Sequence, residues 1–323
     1  MNDRRALIFG ISGQDGAYLA SLLLDKGYEV HGTSRDRDIV HQTNLHALKV
    51  ADRVALHSAS LTDFRSVLQV ISEVAPDEIY NLAGQSSVSL SFVEPVETLH
   101  GTVIGTVNIL ESMRFLKRQV RFYNAASSES FGNTGDAPAD ESTPFRPRSP
   151  YGVSKAAAFW STANYRESYG LFACSGILFN HESPLRPTRF VTQKVVRGAV
   201  DIAQKRTDSL TLGNLDIGRD WGWAPEYVEA MARILARDEP EDFVIATGQL
   251  STLEGFVAEA FGILGLDWKQ HVVTEAGLLR PSDIQRSVGN PGKAERLLGW
   301  QASTRMRDVV ARLVDAELRR RKG

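Results

Sequence analysis

One cysteine stands in 323 residues. Cys174 therefore excludes an internal disulfide and any cysteine-based metal cluster, and its apolar surroundings predict a buried structural thiol. No segment approaches the ~20 apolar residues of a membrane helix. Met1 to Arg5 run straight into an apolar strand without signal-peptide architecture, so a cytoplasmic protein with no membrane partner is expected. Basic charge is not in excess: the net charge is −2, which argues against nucleic acid as a partner. The basic run Arg319 to Lys322 reads as a short solvated tail. The histidines, His31, His41, His46, His57, His100, His181 and His271, are scattered. No His-x-x-x-His pair stands among them, so no metal is expected. What remains is ordinary globular composition, 42% hydrophobic and 24% charged, enough for one large core and a smaller lobe.

The first half alternates short apolar runs with amphipathic stretches. Ala6 to Phe9 reads as a buried parallel strand. Gly10-Ile11-Ser12-Gly13-Gln14-Asp15-Gly16 follows, then a helix over Ala17 to Lys26 and a strand over Tyr28 to Gly32. Glycines at positions 1, 4 and 7 of such a loop permit a tight turn, close approach to a pyrophosphate, and close packing of helix on strand. Gly10, Ser12, Gly13, Gln14, Asp15 and Gly16 are thus candidate dinucleotide contacts. After the second strand, Arg35 suits the extra phosphate of NADP, whereas Asp36 suits the ribose hydroxyls of NAD. NADP is the expectation, with NAD as the alternative.

Further strands are expected at Val54–His57, Glu78–Ala83, Val120–Ala125 and Gly176–Asn180, with helices at Phe64–Val74 and Thr106–Phe115. This alternation predicts an α/β fold: a Rossmann-type doubly wound parallel sheet, with a smaller C-terminal α/β substrate-binding lobe. The expected division is a cofactor-binding domain over 1–181, with returning segments near 215–250, and a substrate lobe over 182–323. Helices are expected there at Phe190–Gln204, Tyr227–Arg237, Leu253–Leu264 and Thr304–Arg320. Small-molecule sites concentrate in the cleft between two such lobes.

The fifth strand delivers Ser127-Ser128-Glu129, and Tyr151-Gly152-Val153-Ser154-Lys155 opens the next helix after Pro147 and Pro150. Residues four apart share a helix face, so Lys155 lies beside Tyr151. A nearby ammonium favours the phenolate, which can take a proton from an alcohol as hydride leaves carbon. A serine hydroxyl can hold the same oxygen. Glu129 is additional: plain alcohol oxidation needs no such carboxylate, whereas removing a proton beside a new ketone does.

With these motifs and the strand end Asn81-Leu82-Ala83, the chain resembles the extended short-chain dehydrogenase/reductase family. It resembles the GDP-mannose 4,6-dehydratase branch most closely, through Gly13 to Ala20, Arg148 to Gly152, Ile177 to Pro184, Arg219 to Gly222, Glu226 to Met231 and Asp242 to Gly248. The resemblance implies Tyr151 as base, Lys155 as its charge partner, Ser127 (where the family carries threonine) as alcohol holder, and Glu129 as acid–base. It implies cofactor contacts at Arg35, Ser60, Leu61, Leu82, Ala83, Gln85, Asn180, His181 and Arg186. A GDP-sugar pocket is implied at Ser87, Glu129, Asn180, Val191, Thr192, Lys194, Leu212, Gly213, Asn214, Arg219, Arg280 and Asp283. Arginine and lysine suit a diphosphate.

The chain departs from the family pattern at Asp36, Ser60, Gln193 and Asp283, and the linker before the third strand is short. The expected reaction is dehydration of GDP-mannose to GDP-4-keto-6-deoxymannose. Alternatives are a 4-keto-reductase or epimerase of a related GDP-sugar, a GDP-heptose dehydratase, and a non-catalytic nucleotide-sugar sensor. A homodimer through the helices near Thr102–Phe115 and Tyr151–Ser168 is expected. A tetramer would need the loop from Arg35 to His41.

Overall fold

A computed structural model describes residues 4–38, 43–275 and 281–321. Arg280 and His41 lie outside the described residues. In chain order the first half comprises β1 (Arg5–Phe9), α1 (Gln14–Asp25), β2 (Glu29–Ser34), α2 (Thr43–Ala47), β3 (Val54–Ser58), α3 (Phe64–Val74), β4 (Glu78–Asn81), α4 (Val88–Val93), α5 (Pro95–Leu99), α6 (Gly105–Leu116), β5 (Arg121–Ser127), α7 (Pro150–Tyr169) and β6 (Ala173–Leu178). The second half comprises β7 (Asn180–Glu182), α8 (Val191–Ala203), β8 (Leu210–Leu212), β9 (Gly218–Arg219), β10 (Trp221–Trp223), α9 (Ala224–Leu235), β11 (Phe243–Ile245), β12 (Ser251–Thr252), α10 (Leu253–Ile263), β13 (Val272–Thr274), β14 (Arg286–Ser287), α11 (Gly292–Leu298) and α12 (Met306–Arg320).

Helix α3 shows how sequence makes these elements. Asp63 caps it by accepting from the Arg65 amide at 3.0 Å. Val67, Val70, Ile71 and Val74 recur at helical spacing and are all buried. Each such side chain contributes about 1.5–3 kcal/mol when fully buried. Ala75, at φ 49°, ends the helix in the left-handed region.

Seven strands form one sheet in the order β11-β6-β5-β4-β1-β2-β3, every pairing parallel. The order reverses between β1 and β4, which opens a crevice at their carboxyl ends. Helices α3, α6 and α7 pack on one face and α1 and α9 on the other. The seventh strand, β11, comes back from the second half to pair with β6. A separate core joins α8, α10 and α12 around Val196, Phe256 and Leu313.

The sixth strand differs from expectation. It runs Ala173–Leu178 rather than Gly176–Asn180, and Asn180 begins β7 instead. Phe179 separates them: its N–H donates to the Ile245 carbonyl at 3.0 Å, across to β11. The apolar run is continuous there, so only the neighbouring strands define the break.

Candidate active site

The crevice begins with three glycines. Gly10 has φ +86°, and a Cβ there would lie 2.8 Å from the Ala83 backbone. A Cβ on Gly16 would lie 2.3 Å from the Gly10 carbonyl oxygen. Glycine at these two positions lets β1, α1 and the end of β4 close into one tight turn. Gly13 forms the N-cap of α1 with no side-chain cap, and such a helix end favours anions. These features fit a dinucleotide diphosphate.

Other cofactor candidates have partners of their own. The Asn44 amide donates to the Ser12 carbonyl at 2.9 Å. Gln14 is buried; its oxygen accepts from the Ser183 hydroxyl at 2.7 Å and its nitrogen donates to Asp15 at 2.9 Å. Its side chain therefore ties α1 to the segment after β7. Arg35 is exposed, while Asp36 accepts from the Asp38 amide at 2.9 Å. Ser60 meets the Thr62 hydroxyl at 3.2 Å, and the Leu61 carbonyl accepts from Asn108. The Leu82 N–H donates to the Phe9 carbonyl at 3.0 Å, holding Ala83 beside Gly10. Gln85 donates to the Ser87 carbonyl at 2.8 Å, and Ser87 caps α4.

The chemistry-bearing side chains meet where β5 ends and α7 begins. Ser127, buried, closes β5; its hydroxyl accepts from the Glu129 amide at 3.3 Å and hydrogen-bonds the Tyr151 phenol. Ser149 caps α7 by accepting from the Gly152 amide at 3.0 Å, with Pro150 following at N1. Tyr151 and Lys155 are both buried on this helix. The Lys155 ammonium donates to the Ala125 carbonyl at 2.8 Å and lies 5.8 Å from the Tyr151 ring centre.

Burial pushes the Tyr151 phenol up to about 12; Ser127 opposes this and the Glu129 charge adds to it. Burial also pulls Lys155 down to about 8, against the Asp15 charge. Both shifts come chiefly from burial, and strongly shifted groups of this kind concentrate at functional sites. Glu129 itself is half-buried.

His181 lies on the far wall. Its Nε2 is 2.9 Å from Asp15 Oδ2 and its Nδ1 is 2.7 Å from the Phe179 carbonyl. Arg186 donates to the His181 carbonyl at 3.2 Å and pairs with buried Glu182 at 3.4 Å. Asn180 stands at the start of β7, half-buried.

The other expected sugar-nucleotide residues are spread over the second half of the chain. Val191 and Thr192 open α8; Lys194 on the same helix is exposed. Buried Gln193 donates to the Ser183 carbonyl at 2.9 Å. Leu212 ends β8, followed by half-buried Gly213 and Asn214. Arg219 is buried, donating to the Ile284 carbonyl at 2.7 Å and pairing with Asp283 at 3.2 Å. It is held by the protein rather than lying open to solvent.

The model of the family described as GDP-mannose 4,6 dehydratase matches residues 7–313. The chain belongs to that family. GDP-mannose 4,6 dehydratase 2 of Arabidopsis thaliana is 44% identical, covering 97% of this chain and 86% of its own. Among solved structures, the dTDP-glucose 4,6-dehydratase of Bacillus anthracis in complex with NAD superposes with TM-score 0.85 at 20% identity, covering 99% and 98% of the two chains. RMD from Pseudomonas aeruginosa complexed with NADPH gives TM-score 0.80 at 22% identity, covering 98% and 99%. At such identity these two speak for the fold. Membership in the family makes the chain a dehydratase, and it gives the Ser127, Glu129, Tyr151 and Lys155 cluster its context.

Sequence reasoning missed one polar pair. The register of β2 on β3 brings His31 Nδ1 within 2.9 Å of His57 Nε2. No spacing along the chain signals it, because the partners are 26 residues apart. Among the described residues, no group of three or more His, Cys, Asp or Glu is placed to hold a metal ion, and no helix is long and apolar enough to cross a membrane.

Proposed function

We propose that this protein converts GDP-mannose to GDP-4-keto-6-deoxymannose, with NADP as the bound cofactor. The carrying observation is that the Ser127–Glu129 turn at the end of β5 packs on Gly152 at the start of α7, next to Tyr151, since a simple dehydrogenase has no task for the Glu129 carboxylate. The cofactor's part is to accept hydride from carbon 4 and return it to carbon 6. Gly10, Gly13 and Gly16 would hold its diphosphate, Lys155 its nicotinamide ribose, and exposed Arg35 the 2′-phosphate.

Tyr151 takes the proton of the 4-hydroxyl, which Ser127 orients by hydrogen bond. The buried ammonium of Lys155 favours the phenolate that accepts this proton. The ketone at carbon 4 acidifies the hydrogen on carbon 5. Glu129 removes that proton and delivers one to the departing hydroxyl at carbon 6, releasing water. Return of the hydride to carbon 6 and of the proton held on Tyr151 to carbon 5 would complete the product, so no cofactor is consumed. Lys194, Arg219 and Arg280 are assigned to the diphosphate, and Val191, Leu212, Gly213, Asn214 and Asp283 to the nucleoside. Arg219 would serve from within its pair with Asp283.

Incubation with GDP-mannose and substoichiometric NADP⁺ tests this. Steady formation of a 4-keto-6-deoxy sugar without NADPH accumulation is expected. Stoichiometric consumption of NADPH with a keto sugar would instead identify a reductase. Turnover of GDP-heptose but not GDP-mannose would move the substrate to the larger sugar.

The protein acts in the cytoplasm as a homodimer. Val96, Phe115, Val153, Trp160 and Tyr169 are all exposed on the packed group α5, α6 and α7, an apolar patch of the kind that marks an interface.

A further inference from the structure

Asp15 poses an electrostatic problem. It sits in the first turn of α1, where the helix end favours anions. A dinucleotide diphosphate is drawn to that same end, so the carboxylate and the phosphates oppose each other. His181 supplies the missing charge, and its geometry specifies the protonation state. Nε2 faces a carboxylate oxygen at 2.9 Å, and Nδ1 faces a carbonyl oxygen at 2.7 Å. A neutral imidazole has one N–H and would leave one of those acceptors facing a lone pair; the imidazolium satisfies both. The ring is buried and stacks on Tyr227 at 4.6 Å, with little freedom to turn away.

We propose that His181 works as a resident imidazolium counter-ion to Asp15, and that this pair is a positioning device that keeps the dinucleotide loop receptive to a diphosphate. The inference rests on the nicotinamide-cofactor reading. It gives Asp15 and His181 a joint task that neither has as a separate contact.

The surrounding groups agree with it. From α1, Asp15 favours the charged ring, and His181 in turn holds the Asp15 carboxyl below its usual range against burial. The His181 ring is raised above its usual range by Asp15, although burial opposes this and Arg186 repels it. Glu182 partly offsets Arg186 at 3.4 Å. From α9, Tyr227 presents a neutral face, its phenol pushed well up by burial. From α7 and β5, Lys155, Tyr151 and Tyr123 lie within the field of Asp15. Deprotonation of His181 would leave Asp15 facing the diphosphate alone, so cofactor affinity should fall as pH rises through the titration of the ring.

Two measurements on the full chain test the pair. Nitrogen NMR of labelled histidine in the cofactor-free protein should show both ring nitrogens of His181 protonated at neutral pH. Calorimetric binding of NADP⁺ and of NAD⁺ should be followed from about pH 6 to about pH 9, upward from the ordinary histidine value of about 6.5, the direction in which Asp15 raises the ring. The unaltered protein should lose about tenfold in affinity across its titration, the scale of one charge-assisted contact. His181→Gln should be about tenfold weaker at every pH, and Asp15→Asn should be tight with a flat profile. The double variant should match Asp15→Asn within about twofold. A neutral His181 would overturn the proposal without any variant having to fold. So would a His181→Gln loss that persists when Asp15 is already Asn. A doubly protonated His181 in a chain that binds neither dinucleotide would refute the cofactor reading and the role of the pair, while leaving the charge state intact.

Discussion

A side-chain carbon at position 152 would lie 2.7 Å from the backbone carbonyl oxygen of Glu129. Helix α7 therefore docks on the strand-end turn through a glycine, and that contact brings Tyr151 against Ser127. Gly152→Ala must push the two segments apart. Overpacking of this kind typically costs about 1–3 kcal/mol. We expect a lower melting temperature and a kcat reduced by about tenfold or more, since misplacement near 1 Å can cost that much. Unchanged kcat would mean that the contact does not position the reacting groups.

Glu129→Gln keeps the size of the side chain and removes the base. Overall turnover should fall about a hundredfold or more. Oxidation at carbon 4 needs only Tyr151, Lys155 and Ser127, so one equivalent of reduced cofactor should form on the variant and persist. Rapid-mixing absorbance reads this directly. Near-native turnover would show that Glu129 is not the acid–base. Ser127→Ala should cost less, because Tyr151 still contacts the alcohol.

Lys155 is held at about 8 by burial, from an ordinary 10.5. The unfolded chain thus binds more protons than the folded one between those values, and the cost of burying the charge is full below about pH 8 and relieved as pH rises towards 10.5. That cost is about 3 kcal/mol at neutral pH. Lys155→Met removes it but leaves the Ala125 carbonyl without this donor, at about 1 kcal/mol. We expect a net gain of about 2 kcal/mol near pH 7, turning towards pH 10.5 into a net loss of about 1 kcal/mol from the unpaired carbonyl, with activity lost. Denaturant melts at both pH values decide it. In the unaltered enzyme kcat/KM should decline above about pH 8, as the ammonium beside Tyr151 loses its proton.

Phe115 and Trp160 are 66% and 60% exposed, unusual for side chains of their size. Phe115→Asp with Trp160→Asp should turn a dimer into a folded monomer by light scattering, with secondary structure retained. A monomeric unaltered chain at micromolar concentration would refute the dimer outright.

Much of the fold was legible along the chain, because local rules carry it. Apolar runs between glycine turns marked the parallel strands, and the helical signal from Phe64 to Val74 matched the bounds of α3. The Tyr151–Lys155 spacing placed both side chains on one helix face, and the glycine triplet marked the crevice. These features depend on neighbours within a few residues, which sequence records.

Tertiary structure decided what depends on distant neighbours. The break between β6 and β7 follows from bonding to β11, some 65 residues away, and no local residue type signals it. Arg219 is expected at a diphosphate by resemblance, and only the fold shows that it is buried against Asp283 and Ile284. The need for glycine at position 152 arises only where α7 meets the Glu129 turn. The protonation of His181 is set by Asp15, 166 residues earlier in the chain. Charge states and close contacts are properties of the assembled site, since they depend on burial and on which groups end up face to face.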